Sequence, residues 1–131
     1  EHGVYLNCCS IHEKIDDQYA YNTSLLFDPN GEIIGKYRKV HLYDAQFKDR
    51  FTSQESATIK PGNELVTVET EHGKFGMTIC YDVRFPELYR SLALQGAQLI
   101  FAPAACKSSG ESALYCRSRT IWCIKNEYIL W

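Results

Sequence analysis

The feature that most constrains the fold is a change in the apolar period after residue 80. Residues 74–80 form a short apolar run, which is typical of a buried strand. Beyond it, apolar residues recur at helical spacing, at Phe85, Leu88, Tyr89, Leu92 and Ala93. Pro86 lies in the first turn of this predicted helix, and Gly96 lies at its expected end. Residues 98–103 then return to a strand pattern, and this order predicts an α/β fold with a partly parallel sheet.

Further elements are predicted from short apolar runs and from turn residues. The other predicted strands are residues 4–11, 21–28, 33–40, 65–69 and the chain from Glu127 onward. The turn sequences Pro29-Asn30-Gly31 and Glu71-His72-Gly73 are each expected to join two strands in a hairpin. The first strand is almost continuously apolar and is expected to be buried on both faces. Residues 43–64 are expected to form a long irregular loop, and residues 109–125 a second helix.

Composition and charge exclude several classes of partner. The chain has 131 residues, of which 45% are hydrophobic and 23% charged, as in an average globular domain. Its formal net charge is -2 and it has no basic stripe, so neither nucleic acid nor an anionic membrane is an expected partner. No apolar run approaches the roughly 20 residues that span a bilayer, and no segment resembles a signal peptide. A cytoplasmic protein is therefore expected.

Residues 1–131 are interpreted as a single, incomplete domain. The chain starts at Glu1, and its only methionine is Met77. Residues 128–131 read as the opening of an apolar strand with no polar exit after it. We therefore expect further chain both before residue 1 and after residue 131.

The six cysteines are expected to be free thiols, because none belongs to a C-x-x-C pair and they are too sparse to staple a small domain. Cys8, Cys9 and His12 could donate to zinc, but a structural zinc site needs four ligands. Buried strand cysteines are the favoured interpretation. Neither a metal nor a cofactor is expected.

Three residues are candidates for chemistry. Cys80 lies between a strand and a helix, where the positive end of the helix dipole favours a nucleophilic thiolate. Its ordinary alternative is an inert core cysteine. Lys39 lies where a strand gives way to the long loop, and Glu55 lies within that loop. Each of these two has an ordinary alternative as a solvated surface charge.

Two motifs resemble those of the nitrilase superfamily of carbon–nitrogen hydrolases. Residues 35–44, GKYRKVHLYD, are similar to its lysine motif, and residues 79–88, ICYDVRFPEL, to its nucleophile motif. The spacing of Lys39 and Cys80, with Glu55-Ser56 and Pro61-Gly62 between them, resembles the branch that contains ω-amidase and deaminated-glutathione amidase. The likeness runs from about Tyr5 to Ala105.

The resemblance implies a four-layer α-β-β-α sandwich and a Glu-Lys-Cys catalytic triad. By motif, Cys80 matches the nucleophile, Lys39 the lysine, and Glu55 a second, supporting glutamate beside the lysine. The principal glutamate of the triad is expected upstream of Glu1, since Glu13 matches a different, non-catalytic position. A homodimer or a larger homo-oligomer is expected by the same analogy.

The implied reaction is hydrolysis of a small amide through a cysteine thioester, with release of ammonia. Arg84 is a candidate clamp for a substrate carboxylate, or alternatively a salt-bridge partner of Asp82 or Glu87. Tyr81 either lines the substrate pocket or packs beneath the helix.

The sequence leaves two alternative functions. One is a catalytically inactive fragment that serves as a binding or assembly module. The other is a papain-like hydrolase in which Cys80 works with one of His2, His12, His41 or His72. That possibility is disfavoured because Cys80 lacks the flanking signature of such enzymes and Lys39 would have no role.

Overall fold

The structure, a computed structural model, describes residues 3–47, 51–104, 120–125 and 128–130. The first of its two larger sheets consists of β1 (Leu6–Lys14), β2 (Ala20–Phe27), β3 (Ile33–Arg38) and β6 (Ile59–Lys60). β1, β2 and β3 are consecutive antiparallel strands, and β6 pairs in parallel with β2. The predicted hairpin between β2 and β3 is confirmed, with Gly31 at a φ of 87° in its turn.

The second sheet has the strand order β11-β10-β9-β8-β7. Its strands are β7 (Thr67–Thr70), β8 (Gly73–Met77), β9 (Leu99–Ala102), β10 (Thr120–Lys125) and β11 (Tyr128–Leu130). The predicted hairpin between β7 and β8 is confirmed, and β8 pairs in parallel with β9. Helix α1 (Pro86–Leu94) makes the crossover between those two parallel strands. The predicted helix and the partly parallel sheet are therefore both present.

The two sheets pack face to face over an apolar core. Leu26 and Tyr37 of the first sheet are fully buried against Val68, Phe75 and Met77 of the second. The backbones approach closely at Gly35, where an added Cβ would lie 2.7 Å from Cγ2 of Val68 and 3.0 Å from Sδ of Met77. A side chain at this position would overpack the interface between the sheets.

Helix α1 covers the other face of the second sheet. Its residues Leu88, Tyr89 and Leu92 are buried against Ala97 and Ile100. Full burial of a leucine side chain contributes about 1.5–3 kcal/mol, so this stripe is enough to hold the helix on the sheet. A sheet, a second sheet and a helix are three successive layers of the expected four-layer sandwich.

The prediction that the first strand is buried on both faces is wrong. β1 runs from Leu6 to Lys14 and is largely exposed, and Leu6 and Ile11 are 53% and 49% exposed. Cys9 is exposed and Cys8 half-buried, so the two are not core cysteines. Among the described residues, β1 has a single neighbouring strand and one open face. An apolar run alone does not distinguish such a strand from one that is covered on both faces.

The prediction of an irregular loop over residues 43–64 is also wrong in part. This segment contains a two-stranded hairpin of β4 (Asp44–Phe47) and β5 (Phe51–Gln54), a 3-10 helix (Glu55–Ala57) and the short strand β6. Backbone contacts hold the base of the hairpin, because the Glu55 N–H donates to the carbonyl of Tyr43 at 3.3 Å. The register of this hairpin depends on such contacts, so its mixed polar sequence gives no local pattern that predicts it.

The prediction of a second helix over residues 109–125 is wrong for residues 120–125. Residues 120–125 form β10, which pairs antiparallel with β9, and the remainder of the prediction lies outside the described residues. The sequence TIWCIK is rich in β-branched and aromatic residues, which favour strands. The edge of β9 offers a partner for it, and these two factors override the weak helical period.

Two features are absent from the described residues. None of the helices in this part of the chain is long and apolar enough to cross a membrane. In the same residues, no group of three or more His, Cys, Asp or Glu side chains is arranged to hold a metal ion.

Candidate active site

Lys39 and Glu55 form a buried ion pair. Lys39 follows the last residue of β3, and its side chain is 3% exposed. Its Nζ lies 2.5 Å from Oε2 of Glu55, whose side chain is 16% exposed. The structure therefore excludes the ordinary alternative of two solvated surface charges.

Several groups besides Lys39 hold the Glu55 carboxylate. The backbone N–H of Tyr43 donates to Oε2 at 2.7 Å, and Nδ2 of Asn22 donates to Oε1 at 3.1 Å. The carbonyl of Asn22 also accepts the backbone N–H of Lys39 at 2.8 Å, so Asn22 contacts both members of the pair. Burial raises the pKa of Glu55, but the hydrogen bonds from Lys39, Tyr43 and Asn22 outweigh it, and the net result is a lowered pKa. Glu55 is therefore charged at neutral pH.

The lowered pKa of Glu55 predicts a pH-dependent contribution to stability. A carboxyl group with a pKa lower in the folded than in the unfolded state stabilises the fold above its unfolded value of about 4.3. That contribution is lost as the pH falls through the folded-state pKa. We expect Glu55→Gln to lower the free energy of unfolding at pH 7 by about 1–3 kcal/mol. The difference in free energy of unfolding between wild type and variant should narrow below about pH 4.5. Urea unfolding of both proteins between pH 3 and 7 measures this difference. A difference that does not depend on pH would contradict the lowered pKa of Glu55.

Cys80 lies in a strained turn at the carboxyl end of β8. The strand ends at Met77, earlier than predicted, and Cys80 opens a 3-10 helix (Cys80–Arg84) that leads into α1. Its φ of 47° lies in the left-handed region, which is uncommon for residues other than glycine. The backbone N–H of Cys80 donates to the carbonyl of Pro103 at 2.8 Å. Strain of this kind costs about 1–3 kcal/mol and persists only where the surroundings enforce it.

Asp82 joins the Cys80 turn to the Lys39 segment. Its side chain is fully buried, and Oδ2 accepts hydrogen bonds from the backbone N–H of Ile79 at 2.9 Å and from the Tyr37 hydroxyl at 2.8 Å. Oδ1 accepts from the backbone N–H of His41 at 3.0 Å and lies 2.9 Å from Nδ1 of the same residue. Burial, with the adjacent Asp82 charge, raises the pKa of Tyr37 far above its usual value, so the hydroxyl stays protonated and donates.

Sequence reasoning considered Asp82 only as a partner of Arg84 and missed this role. The available signal was an acidic residue two positions after the candidate nucleophile, inside an otherwise apolar segment. The contacts from Tyr37 and His41 come from residues 45 and 41 positions earlier, which no local pattern indicates.

Tyr81 and Arg84 lie on the same 3-10 helix as Cys80. The Tyr81 ring makes edge-to-face contacts with Tyr43 at 5.0 Å and with Phe85 at 5.6 Å between centroids. Tyr81 thus adjoins the residue whose backbone holds Glu55. Arg84 is exposed at the end of the 3-10 helix.

Glu13 is tied into a separate ion-pair cluster. Its carboxylate lies 2.7 Å from Nη2 of Arg38 and 2.9 Å from Nζ of Lys36, and it accepts a hydrogen bond from Thr23. The hydrogen bonds from Arg38, followed by that from Lys36, hold the pKa of Glu13 far below its usual range. A carboxylate with so low a pKa is a weak base, which agrees with its expected non-catalytic position.

The three histidines in the described part of the chain do not form the pair with Cys80 that a papain-like hydrolase requires. Nδ1 of His41 is engaged by Asp82, and the His41 ring stacks on Phe85 at a centroid distance of 3.6 Å. His72 contacts Tyr5 and Glu71, and His12 is exposed on β1. Within the described ranges Cys80 makes no hydrogen bond to a histidine, and His2 lies outside them.

Two packed sheets with a buried lysine–glutamate pair next to a cysteine turn define an α/β protein of the nitrilase type. The chain belongs to the carbon–nitrogen hydrolase family, whose sequence pattern matches residues 1–121. The resemblance drawn from the two motifs is thereby confirmed.

Characterised relatives cover most of this chain. It is 43% identical over 117 residues to the deaminated glutathione amidase of Dictyostelium discoideum, a match that covers 86% of this chain and 40% of the relative. It is 42% identical over 105 residues to the human omega-amidase NIT2, covering 80% of this chain and 38% of that protein. The chain thus spans about 40% of the length of these relatives.

Solved structures share the fold. The C. elegans NitFhit protein superposes with a TM-score of 0.74 at 33% identity, covering 89% of this chain and 30% of that one. A mutant of the amidase from Nesterenkonia sp. AN1 superposes with a TM-score of 0.71 at 29% identity, covering 86% of this chain and 39% of the amidase chain. That mutant carries the acetamide moiety of fluoroacetamide, covalently added at its active-site cysteine.

Proposed function

We propose that the whole protein hydrolyses a non-peptide C–N bond in a small amide, with Cys80 as nucleophile. The observation that carries this proposal is the buried Lys39–Glu55 pair, on a segment joined through Asp82 to the strained Cys80 turn. A fixed ammonium group close to a cysteine turn can stabilise negative charge that develops during attack on a carbonyl.

In the first half-reaction the Cys80 thiolate forms a bond to the amide carbon. The carbonyl oxygen becomes an oxyanion, which the Lys39 ammonium stabilises. The C–N bond then breaks, the nitrogen takes up the proton that the Cys80 thiol first gave to the general base and leaves as ammonia, and a thioester remains on Cys80. Glu55 holds the Lys39 ammonium group in place through their buried ion pair.

In the second half-reaction water attacks the thioester carbon, the C–S bond breaks, and a carboxylic acid is released. This step needs a general base to accept a proton from the water. The family resemblance assigns that base to a glutamate upstream of Glu1. Glu13 and Glu55 are unsuited to the task, because strong hydrogen bonds keep both carboxylates deprotonated and weakly basic.

The relatives support this reaction class. One is named an omega-amidase and one a deaminated glutathione amidase, and in a mutant of the structurally similar Nesterenkonia amidase the acetamide moiety of fluoroacetamide is covalently added at the active-site cysteine. The equivalent role that we propose for Cys80 is supported by the resemblance of residues 79–88 to the nucleophile motif of the family.

Covalent labelling tests the assignment. The whole protein is incubated with fluoroacetamide, and the adduct is located by peptide mass spectrometry. We expect the label on Cys80, and we expect Cys80→Ala to abolish both labelling and turnover of small amides. Cys9→Ala is the matched control, because Cys9 is an exposed thiol on β1, and it should change neither. Full activity of Cys80→Ala would refute the proposed function.

Within this class we propose an anionic substrate, either an ω-amide of a keto or dicarboxylic acid or deaminated glutathione. Arg84 is exposed four residues after Cys80 and could bind the substrate carboxylate with two parallel hydrogen bonds. Lysine keeps the charge but loses the bidentate geometry. Arg84→Lys is expected to raise KM about tenfold for an anionic amide and less than twofold for a neutral one, which corresponds to about 1.4 kcal/mol. Equal changes for both substrates would count against the clamp.

The alternative is a non-catalytic binding or assembly module with the same surface. A glutamate at a strand end before residue 1 in the natural polypeptide favours the enzyme, and absence of turnover with an intact Cys80 favours the module. A homodimer or higher homo-oligomer and a cytoplasmic location stay predictions, which sedimentation and cell fractionation can measure.

A further inference from the structure

We propose that Asp82 is a positioning residue that holds the Cys80 turn at a fixed separation from the Lys39–Glu55 pair. This inference rests on the proposed function. Asp82 would touch neither the substrate nor the reacting atoms. It would instead set the position of the nucleophile relative to the oxyanion-stabilising lysine.

The four contacts of the Asp82 carboxylate divide between two segments. The Ile79 N–H belongs to the residue directly before Cys80. The other donors lie on both sides of Lys39: the hydroxyl of Tyr37 two residues before it, and the backbone and ring of His41 two residues after it. One buried carboxylate therefore spans the two chain segments that carry the proposed nucleophile and the proposed oxyanion-stabilising group.

The arrangement also explains how the strained turn is maintained. A residue with a left-handed φ reverts to an ordinary conformation unless its neighbours over-determine it. The N–H before Cys80 is held by Asp82, and the N–H of Cys80 is held by the Pro103 carbonyl. His41 adds a second contact directly after this 3-10 helix, because its ring stacks on Phe85 at an interplanar angle of 9°.

Burial makes the arrangement rigid. The Asp82 side chain has no solvent exposure, so water cannot replace a hydrogen-bond donor that is lost from its carboxylate. Hydrogen bonds to a carboxylate are about twice as strong as those between neutral groups. A shift of about 1 Å in a catalytic group can lower the rate about a hundredfold. Loss of the carboxylate should therefore affect the chemical step more than substrate binding.

The test uses four variants of the whole protein. Asp82→Asn keeps the shape of the side chain but turns one acceptor oxygen into a donor. His41→Leu removes the ring donor, whereas His41→Asn restores an N–H close to the position of Nδ1. Leu92→Ala is the control for stability alone, since it opens a cavity under α1, on the opposite face of the second sheet from the core that the two sheets share. For each variant kcat and KM with a small amide are measured, together with the rate of Cys80 labelling by fluoroacetamide.

We expect Asp82→Asn and His41→Leu to lower kcat and the labelling rate about a hundredfold, with KM changed less than threefold. His41→Asn should retain activity within about fivefold of wild type. Leu92→Ala should lose about as much free energy of unfolding as Asp82→Asn and His41→Leu, but keep its kcat.

Three outcomes would overturn the inference: wild-type kcat in Asp82→Asn, equal losses in His41→Leu and His41→Asn, or an equal loss in Leu92→Ala. If Asp82→Asn does not fold, the two His41 variants decide. Turnover that persists in Cys80→Ala would instead refute the proposed function, whatever the Asp82 result.

Discussion

Replacing Lys39 with methionine is expected to lower kcat/KM of the whole protein by about 10²–10³-fold, the usual loss when one oxyanion-stabilising group is removed. The same substitution should lower the free energy of unfolding by about 3–5 kcal/mol, because it leaves the Glu55 carboxylate buried without a counter-charge. Methionine has nearly the length and flexibility of lysine, so the change removes the charge with little loss of volume. Steady-state kinetics and urea denaturation at pH 7 measure the two effects.

Lys36→Met is the matched control for this substitution. Lys36 lies on β3, three residues before Lys39, and pairs with Glu13, but its side chain is 47% exposed. Exposed pairs of this kind contribute about 0–1 kcal/mol, so both activity and stability should stay close to wild type. Equal losses of activity and of unfolding free energy in Lys39→Met and Lys36→Met would show that the buried pair contributes no more than the exposed one.

Removing the Cys80 thiol is expected to abolish turnover, with kcat reduced by about 10⁴-fold or more in both Cys80→Ala and Cys80→Gly. Losses of this order follow the removal of a covalent nucleophile from a catalytic triad. The two variants should nevertheless differ in stability. At a φ of 47° a residue with a Cβ is strained and glycine is not, so Cys80→Gly should be more stable than Cys80→Ala by about 1 kcal/mol.

Kinetics and thermal unfolding of both variants, prepared in parallel, measure these effects. Substantial turnover in either would exclude Cys80 as nucleophile. Equal stability of the two would show that the left-handed turn relaxes once the thiol is gone, and that the strain depends on the side chain rather than on the surrounding hydrogen bonds.

The elements that local pattern determines were predictable from sequence. The helix at Pro86–Leu94 has a clear apolar stripe, with proline at its start and Gly96, at a φ of 91°, just beyond its end. Both predicted hairpins have recognisable turn residues. The motifs around Lys39 and Cys80 identified the family because they are long and occur in the expected order. In each case a few neighbouring residues carry the information.

What could not be predicted depends on contacts between distant residues. Glu55 alone reads as a solvated loop carboxylate, and only the folded chain brings Lys39, Tyr43 and Asn22 to it. The β4–β5 hairpin lacks a strong turn signal in mixed polar sequence. The exposure of β1 depends on what covers its outer face, which its own apolar residues do not encode.

The Asp82 contacts carry a consequence for how the chain folds. The contacts with His41 and Tyr37 join residues 41 and 45 positions apart, so they form only after a long segment has closed on itself, and such closure is entropically unfavourable and slow. Until then the left-handed turn lacks these contacts, and Cys80 is expected to behave as an ordinary thiol on a flexible chain. The proposed nucleophile would therefore become reactive only late in folding, and in a partly folded chain Cys80 is expected to react like the other five cysteines.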